Sequence, residues 1–228
     1  MNIKVLASGS SGNCYRIDDG KSTLLLDAGI KYREIQAGCD YRVHEIAGCL
    51  ISHLHGDHAK AVDELLRRGA KVFGPPEVHE SWNGVRVLKP WKTVVIGTFG
   101  VTPFDVEHDC ECFGYHIESS VTHERLVYFT DGSYIPFIFK QIDYWLVEAN
   151  HSMKKLKERE HANLIHPDLA NRIMNTHASI EQVLSYFKTV KPTRAKGIWL
   201  IHLSNDNSDA DEFKKLVMQE TGVPVYVA

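Results

Sequence analysis

The sequence predicts an α+β fold, and three observations carry that prediction. Short β-branched and aromatic runs alternate with stretches of helical periodicity. Six of those runs end in a residue able to bind a metal or organise a site. The densest such ending, S-H-L-H-G-D-H at residues 52–58, stands where a strand-like run hands over to a helix-like one.

Taken in order, T-L-L-L at residues 23–26 ends at Asp27, C-L-I at 49–51 leads to His53, and residues 98–106 lead to His108. L-V-Y-F at 126–129 leads to Asp131. Y-W-L-V at 144–147 leads to Glu148, Asn150 and His151, and I-W-L-I at 198–201 ends at His202. Runs of this composition read as buried strands. If the strands of two packed sheets all end at one rim, ligands scattered through the sequence become compact in space.

The helical signals lie between these runs. Residues 57–68 place apolar side chains at 61, 62, 65 and 66, with His58 counted as inward-facing, and stop at Arg67, Arg68 and Gly69. A second helix is expected from about Ser179 to Lys188, on Ile180, Val183, Leu184 and Phe187. A last one is expected from about Asp209 to Glu220, on Phe213, Leu216 and Val217. The polar, basic segment between Ser152 and His166 reads as an exposed helix or a mobile segment. With no repeat, low-complexity tract or linker, residues 1–228 read as a single domain.

Composition narrows the function classes. A hydrophobic content of 43% and a charged content of 24% are those of an ordinary soluble domain. A formal charge of -3 argues against nucleic-acid binding through a dominant positive field and leaves room for local basic patches. The five cysteines form neither a disulfide framework nor a C-x-x-C zinc signature, which fits a reducing cytoplasm. The N-terminal apolar run is too short for a signal peptide, and no run of about 18 apolar residues occurs anywhere, so neither export nor a membrane span is expected.

In H-x-H-x-D-H, His53 and His55 leave the strand together and can share one ion, while Asp57 and His58 begin the helix and can share a second. Imidazole and carboxylate suit zinc, manganese and iron alike. Four candidate ligands in one turn exceed what a closed structural site needs, and they point to two ions in an open, catalytic arrangement. The simplest allocation gives one ion His53, His55 and His108, the other Asp57, His58 and His202, with Asp131 bridging. A water between the ions loses a proton near neutral pH and becomes a hydrolytic nucleophile. His44, His79, His116, His123, His161 and His166 read as surface residues.

Two basic stretches bear on a polyanionic substrate. Lys154, Lys155, Lys157 and Arg159 are diluted by glutamates and read as a solvated face. V-K-P-T-R-A-K at 190–196 has no acid in it, and its Arg194 and Lys196 are the stronger candidates to track a phosphodiester backbone. The loop S-G-S-S-G-N at 8–13 either offers backbone N–H groups around Ser10, Ser11, Gly12 and Asn13 to a phosphate or forms a plain turn.

L-L-L-D-A-G, S-H-L-H-G-D-H, V-E-H-D, Y-F-T-D-G and I-H-L-S-N-D-N arrive in the order of the metallo-β-lactamase superfamily, which the chain resembles over nearly its whole length. The resemblance implies an αββα sandwich, two packed β-sheets flanked by helices. S-G-S-S-G-N at 8–13, E-A-N-H at 148–151 and H-L-S-N-D-N at 202–207 resemble the YycJ/WalJ branch of DNA exonucleases. That branch implies two divalent ions, zinc or manganese, DNA as the partner, and attack on a phosphodiester from a 5′ end. Asp57 would then serve catalysis as well as ligation, with Ser204 and Asn205 among the substrate contacts.

The chain departs from the branch at two places. Ser152 follows His151 where the branch has an aspartate, and T-H-A-S-I at 176–180 replaces G-H-L-S-N. His177 is retained there and is a candidate to protonate the leaving oxygen. His151 competes for that role or orients a ligand, as do Asp27 and Asn150 through hydrogen bonds.

Two rival functions share these residues. One is a hydrolase of small esters, lactones or cyclic phosphodiesters, and the other a metal-binding regulatory protein without turnover. The length leaves no room for the large inserted domain of the RNase J type. The 71 residues from Asp131 to His202 hold no Gly/Pro-rich arm of the RNase Z type.

Overall fold

The computed structural model describes residues Met1–Ala228. Two mixed β-sheets flanked by helices make up the fold. The chain divides into two compact units, the first comprising Met1–Asp105 and Cys110–Arg125, the second Val106–Asp109 and Leu126–Ala228.

In the first unit, β1 (Asn2–Ala7), β2 (Cys14–Asp18), β3 (Thr23–Leu26), β4 (Gly48–Leu50), β5 (Val72–Gly74) and β6 (Arg86–Val87) succeed one another across a sheet in chain order. β1 to β3 pair antiparallel, and β3 to β6 pair parallel. β3 is a leucine run because a parallel strand covered on both faces has no polar face to show. Register sets Leu26 beside Leu50, so both strands end on the same edge of the sheet. Asp27 and the Ser52–His53 pair therefore leave the sheet side by side.

The helices of this unit are α1 (Tyr32–Gly38), α2 (Gly56–Ala59), α3 (Val62–Arg67) and α4 (Pro76–Ser81). A core of Leu25, Ile35, Cys49, Ile51, Val62 and Leu65 fills the space beneath them. The single helix expected over 57–68 is in fact α2 and α3, broken between them. The Ala61 N–H donates to the Ala28 carbonyl at 2.9 Å instead of continuing the helix. Three further strands, β7 (Val94–Ile96), β8 (Phe99–Val106) and β9 (Cys112–Ser119), complete the unit.

In the second unit, β10 (Arg125–Phe129), β11 (Tyr144–Glu148), β12 (Gly197–Ile201) and β13 (Val225–Val227) run parallel, in the order β13-β12-β11-β10. Phe129 pairs with Val147, and Glu148 with Ile201. The C-terminal ends of three neighbouring strands thus deliver Asp131, Glu148 with Asn150, and His202 to one edge. The helices are α5 (Met153–His161), α6 (Pro167–Thr176), α7 (Ile180–Val190) and α8 (Ala210–Thr221).

α7 starts where Ser179 and Gln182 form a reciprocal capping box. It packs Phe187 edge-on against Trp145 of β11, with ring centroids 5.5 Å apart. α8 begins at an Asp209 cap and ends at Gly222 with φ +68°. The segment after Ser152 is helical, and α6 is an element that the periodicity did not announce.

Candidate metal centre

In the first unit, a buried carboxylate organises the histidine turn. Asp27 Oδ1 accepts from the Ser52 backbone N–H at 2.7 Å, and Oδ2 accepts from Ser52 Oγ at 3.0 Å and His58 Nδ1 at 2.7 Å. A carboxylate only accepts, so the His58 proton sits on Nδ1 and its Nε2 carries the lone pair. His53 Nδ1 lies 3.0 Å from Ser52 Oγ. With the hydroxyl proton committed to Asp27, His53 donates from Nδ1 and likewise presents Nε2. One aspartate therefore sets the tautomers of two histidines, the arrangement that orients metal-binding imidazoles.

The other donors sit close by. Asp57 Oδ2 lies 3.3 Å from His58 Nε2, a pair able to share one ion. The rings of His53 and His55 have centroids 4.7 Å apart. The ligand atoms of His53, His55 and Cys110 all fall within 4.8 Å of one another.

Backbone bonds hold this turn in place. Asn13 donates its N–H to the Asp57 carbonyl at 2.8 Å, and Ala28 donates to the His58 carbonyl at 2.8 Å. Gly29 passes so near the Asp57 carbonyl that a Cβ there would run into it.

Two positions of the Gly/Ser loop are tied into the turn. The N–H groups of Gly12 and Asn13 are already bonded, to the Gly9 and Asp57 carbonyls. The Asn13 side chain is buried and reaches His58 Nε2 at 3.0 Å. Gly12 and Asn13 thus support the turn, while Ser10 and Ser11 are exposed.

In the second unit, Glu148 plays the organising part. Its Oε1 accepts from His177 Nδ1 at 2.7 Å and from His202 Nδ1 at 2.9 Å, and its Oε2 from the Ala178 N–H at 3.2 Å. The two imidazoles stack, with centroids 5.3 Å apart. Asp131 Oδ1 stands 3.4 Å from His177 Nδ1 and 3.9 Å from His202 Nε2. The ligand atoms of Asp131, Glu148, His177 and His202 all lie within 4.8 Å of one another. Asn150 donates to the His202 carbonyl at 3.0 Å. The side chain of His108 is 2% exposed, with Nε2 3.2 Å from Asp109 and its ring 6.2 Å from that of His177.

Electrostatics separates the two candidate acids. Burial pulls the His177 imidazole down, but the charge and hydrogen bond of Glu148, joined by Asp131, outweigh it and hold its pKa above the ordinary value. Burial likewise pushes Glu148 up, yet His177 draws it below the usual carboxylate range. Burial drives His151 down to about 4 against the pull of Glu148. His151 is fully buried and neither ring nitrogen meets a hydrogen-bond partner.

The basic stretch is engaged in ion pairs. Arg194 and Lys196 pair with the buried Asp143, at 3.1 and 3.8 Å, and the Lys196 N–H bonds the Asp143 carbonyl. They stand at the start of β12, whereas His202 follows its end, about 17 Å away along a five-residue strand. Beyond that end, Ser204 is half-buried, its N–H bonded to the Asn150 carbonyl at 2.8 Å, and Asn205 is exposed. Of the histidines read as surface residues, His79 and His116 are half-buried.

Three of the strand-end residues share a property hidden from sequence. Asp27, Asp131 and His202 have φ of +58°, +52° and +54°, left-handed backbone uncommon outside glycine. Such conformations concentrate at functional sites, where surrounding bonds hold them. The sequence names Glu148 among the strand-end residues that can organise a site but does not single out Ser52 or Cys110.

A model of the beta-lactamase superfamily domain matches residues 22–203. The chain belongs to the metallo-β-lactamase superfamily. Among similar proteins are the exodeoxyribonuclease WalJ of Streptococcus pneumoniae, 27% identical over 91% of this chain and 83% of that protein, and the exodeoxyribonuclease YycJ of Bacillus anthracis, 26% identical over 91% and 84%. The metallo-β-lactamase fold protein YhfI of Bacillus subtilis superposes with a TM-score of 0.78 at 17% identity, over 99% of this chain and 95% of that one. This metallo-β-lactamase chain is a metal-dependent hydrolase, and its nitrogen, carboxylate and thiol donors suit a divalent ion.

Proposed function

We propose that the protein is a two-metal phosphodiesterase acting on DNA as a 5′-to-3′ exonuclease. The observation that carries this reading is His177, held as a proton donor on Glu148 beside His202 and Asp131. An unactivated phosphodiester expels an alkoxide, and a positioned acid makes that departure possible. The two relatives of this chain that are called exodeoxyribonucleases support DNA as the substrate. Five cysteines outside any disulfide suit a reducing, cytoplasmic setting.

In this reading the ligands are His53, His55, Asp57, His58, His108, Asp131 and His202. Zinc or manganese bound to them would supply an activated water and neutralise charge on the phosphate. The chain's own residues do the rest. Asp27 and Ser52 keep His53 and His58 in their ligating tautomers. Glu148 keeps His177 protonated, with Nδ1–H engaged and Nε2–H left to give its proton to the leaving oxygen. Ser10, Ser11, Ser204 and Asn205 contact the substrate.

A second reading, hydrolysis of small esters, lactones or cyclic phosphodiesters, is favoured by the pairing of the basic groups. Arg194 and Lys196 sit on Asp143, while Arg159 sits 3.4 Å from Asp206. The deciding experiment incubates the protein, loaded with zinc or manganese, with end-labelled single- and double-stranded DNA, RNA and a small-ester panel, beside Asp57→Ala. DNA shortened from the 5′ end by wild type and spared by the variant is the expected result. Equal degradation by both exposes a contaminating nuclease, and turnover of esters alone selects the second reading.

A further inference from the structure

Cys110 precedes β9 and is half-buried beside the histidine turn of the first unit. Its Sγ lies 3.9 Å from His55 Nε2, and its ligand atom shares the 4.8 Å cluster with those of His53 and His55. Zn–S and Zn–N bonds of about 2.3 and 2.0 Å around a tetrahedral ion separate sulfur from nitrogen by about 3.5 Å. The observed spacing exceeds that by only a few tenths of an ångström. Its placement is anchored independently, because Phe113 donates its N–H to the Ser52 carbonyl at 2.9 Å, fixing the start of β9 against the residue before His53. The neighbouring Cys112 is buried, 3.8 Å from His53 Nδ1, the nitrogen already turned to Ser52.

We infer that Cys110 is a thiolate ligand of the ion held by His53 and His55, and that it selects zinc over manganese at that position. This rests on the reading of His53 and His55 as metal ligands. The thiol releases its proton to solvent as the metal–sulfur bond forms, and no oxidant or reductant takes part. Thiolate is a soft donor that favours zinc, whereas manganese prefers oxygen. Cys112 carries no such role, since the nitrogen that it approaches faces away from the ligating side of His53.

The test uses the full chain loaded with cobalt(II), which reports its ligands by colour. Wild type is expected to show visible d–d bands and a near-ultraviolet thiolate-to-cobalt charge-transfer band. Cys110→Ser should keep the former and lose the latter, whereas Cys112→Ser should keep both. Zinc affinity should fall by at least roughly tenfold in Cys110→Ser, in line with losing a group that supports a metal site. Manganese affinity should not change.

A charge-transfer band that is absent from cobalt-loaded wild type, or that survives in Cys110→Ser, overturns the proposal. d–d bands that are unchanged in His53→Ala and His55→Ala overturn the parent reading instead. Alkylation of wild type followed by mass spectrometry needs no variant. Zinc should protect Cys110, and equal labelling with and without zinc overturns the assignment.

Discussion

Glu148 grips His177, Oε1 against Nδ1 at 2.7 Å, and the same oxygen reaches His202 at 2.9 Å. A single buried charge therefore fixes one proposed metal ligand and one proposed proton donor. Because a general acid works only while protonated, activity should fall as pH rises through the His177 pKa, which Glu148 holds above its ordinary value. Glu148→Gln keeps the shape and removes the charge. The alkaline limb of the kcat–pH profile should move to lower pH, with kcat reduced about 10- to 100-fold. A limb that stays in place would rule out His177 as the acid.

Asp27 accepts three hydrogen bonds with no exposure to solvent. Asn tolerates the same left-handed backbone, so Asp27→Asn isolates the loss of charge from strain. Urea unfolding should show a destabilisation of about 1–3 kcal/mol. Metal affinity, measured by competition with a chelating dye, should drop about 10- to 100-fold.

His151 gives the fold an acid limit. Its pKa is 6.5 in an ordinary setting and about 4 in the folded chain, so the unfolded chain takes up the proton first. The stability it contributes is fully present above about pH 6.5 and is lost as pH falls towards 4, to a total of roughly 3 kcal/mol. In the metal-free protein, His151→Leu should flatten the slope of unfolding free energy against pH across that window by one proton. A slope equal to that of wild type would assign the acid sensitivity elsewhere.

Arg194 is held 3.1 Å from the buried Asp143. Arg194→Ala leaves Asp143 buried with Lys196 as its remaining cationic partner, which should lower the free energy of unfolding by about 1 kcal/mol. DNA turnover should match wild type, and a selective rise in KM for DNA would restore Arg194 as a substrate contact.

Much of the frame is legible in the chain because buried parallel strands must be continuously apolar, as T-L-L-L and L-V-Y-F are. The position just past each strand is then the first one free to be polar, which is why Asp27, Asp131 and His202 stood out. Interactions between distant segments were not legible. Ala61 is a strong helix former, and only the Ala28 carbonyl explains why the helix breaks there. The 190–196 stretch contains no acid, yet Asp143, just before β11, comes to lie beside its Arg194 and Lys196. Glu148 looked like one more strand-end carboxylate until the loop carrying His177 was seen folded back upon it.

The bonds that shape the histidine turn, from Asn13 to Asp57, from Ala28 to His58 and from Ala61 to Ala28, all run between main-chain atoms. None of these three bonds uses an imidazole or a carboxylate, so exchanging the donor at His55 or Asp57 leaves them in place, whereas at His58 the ring and the turn hang on the same Asp27 charge.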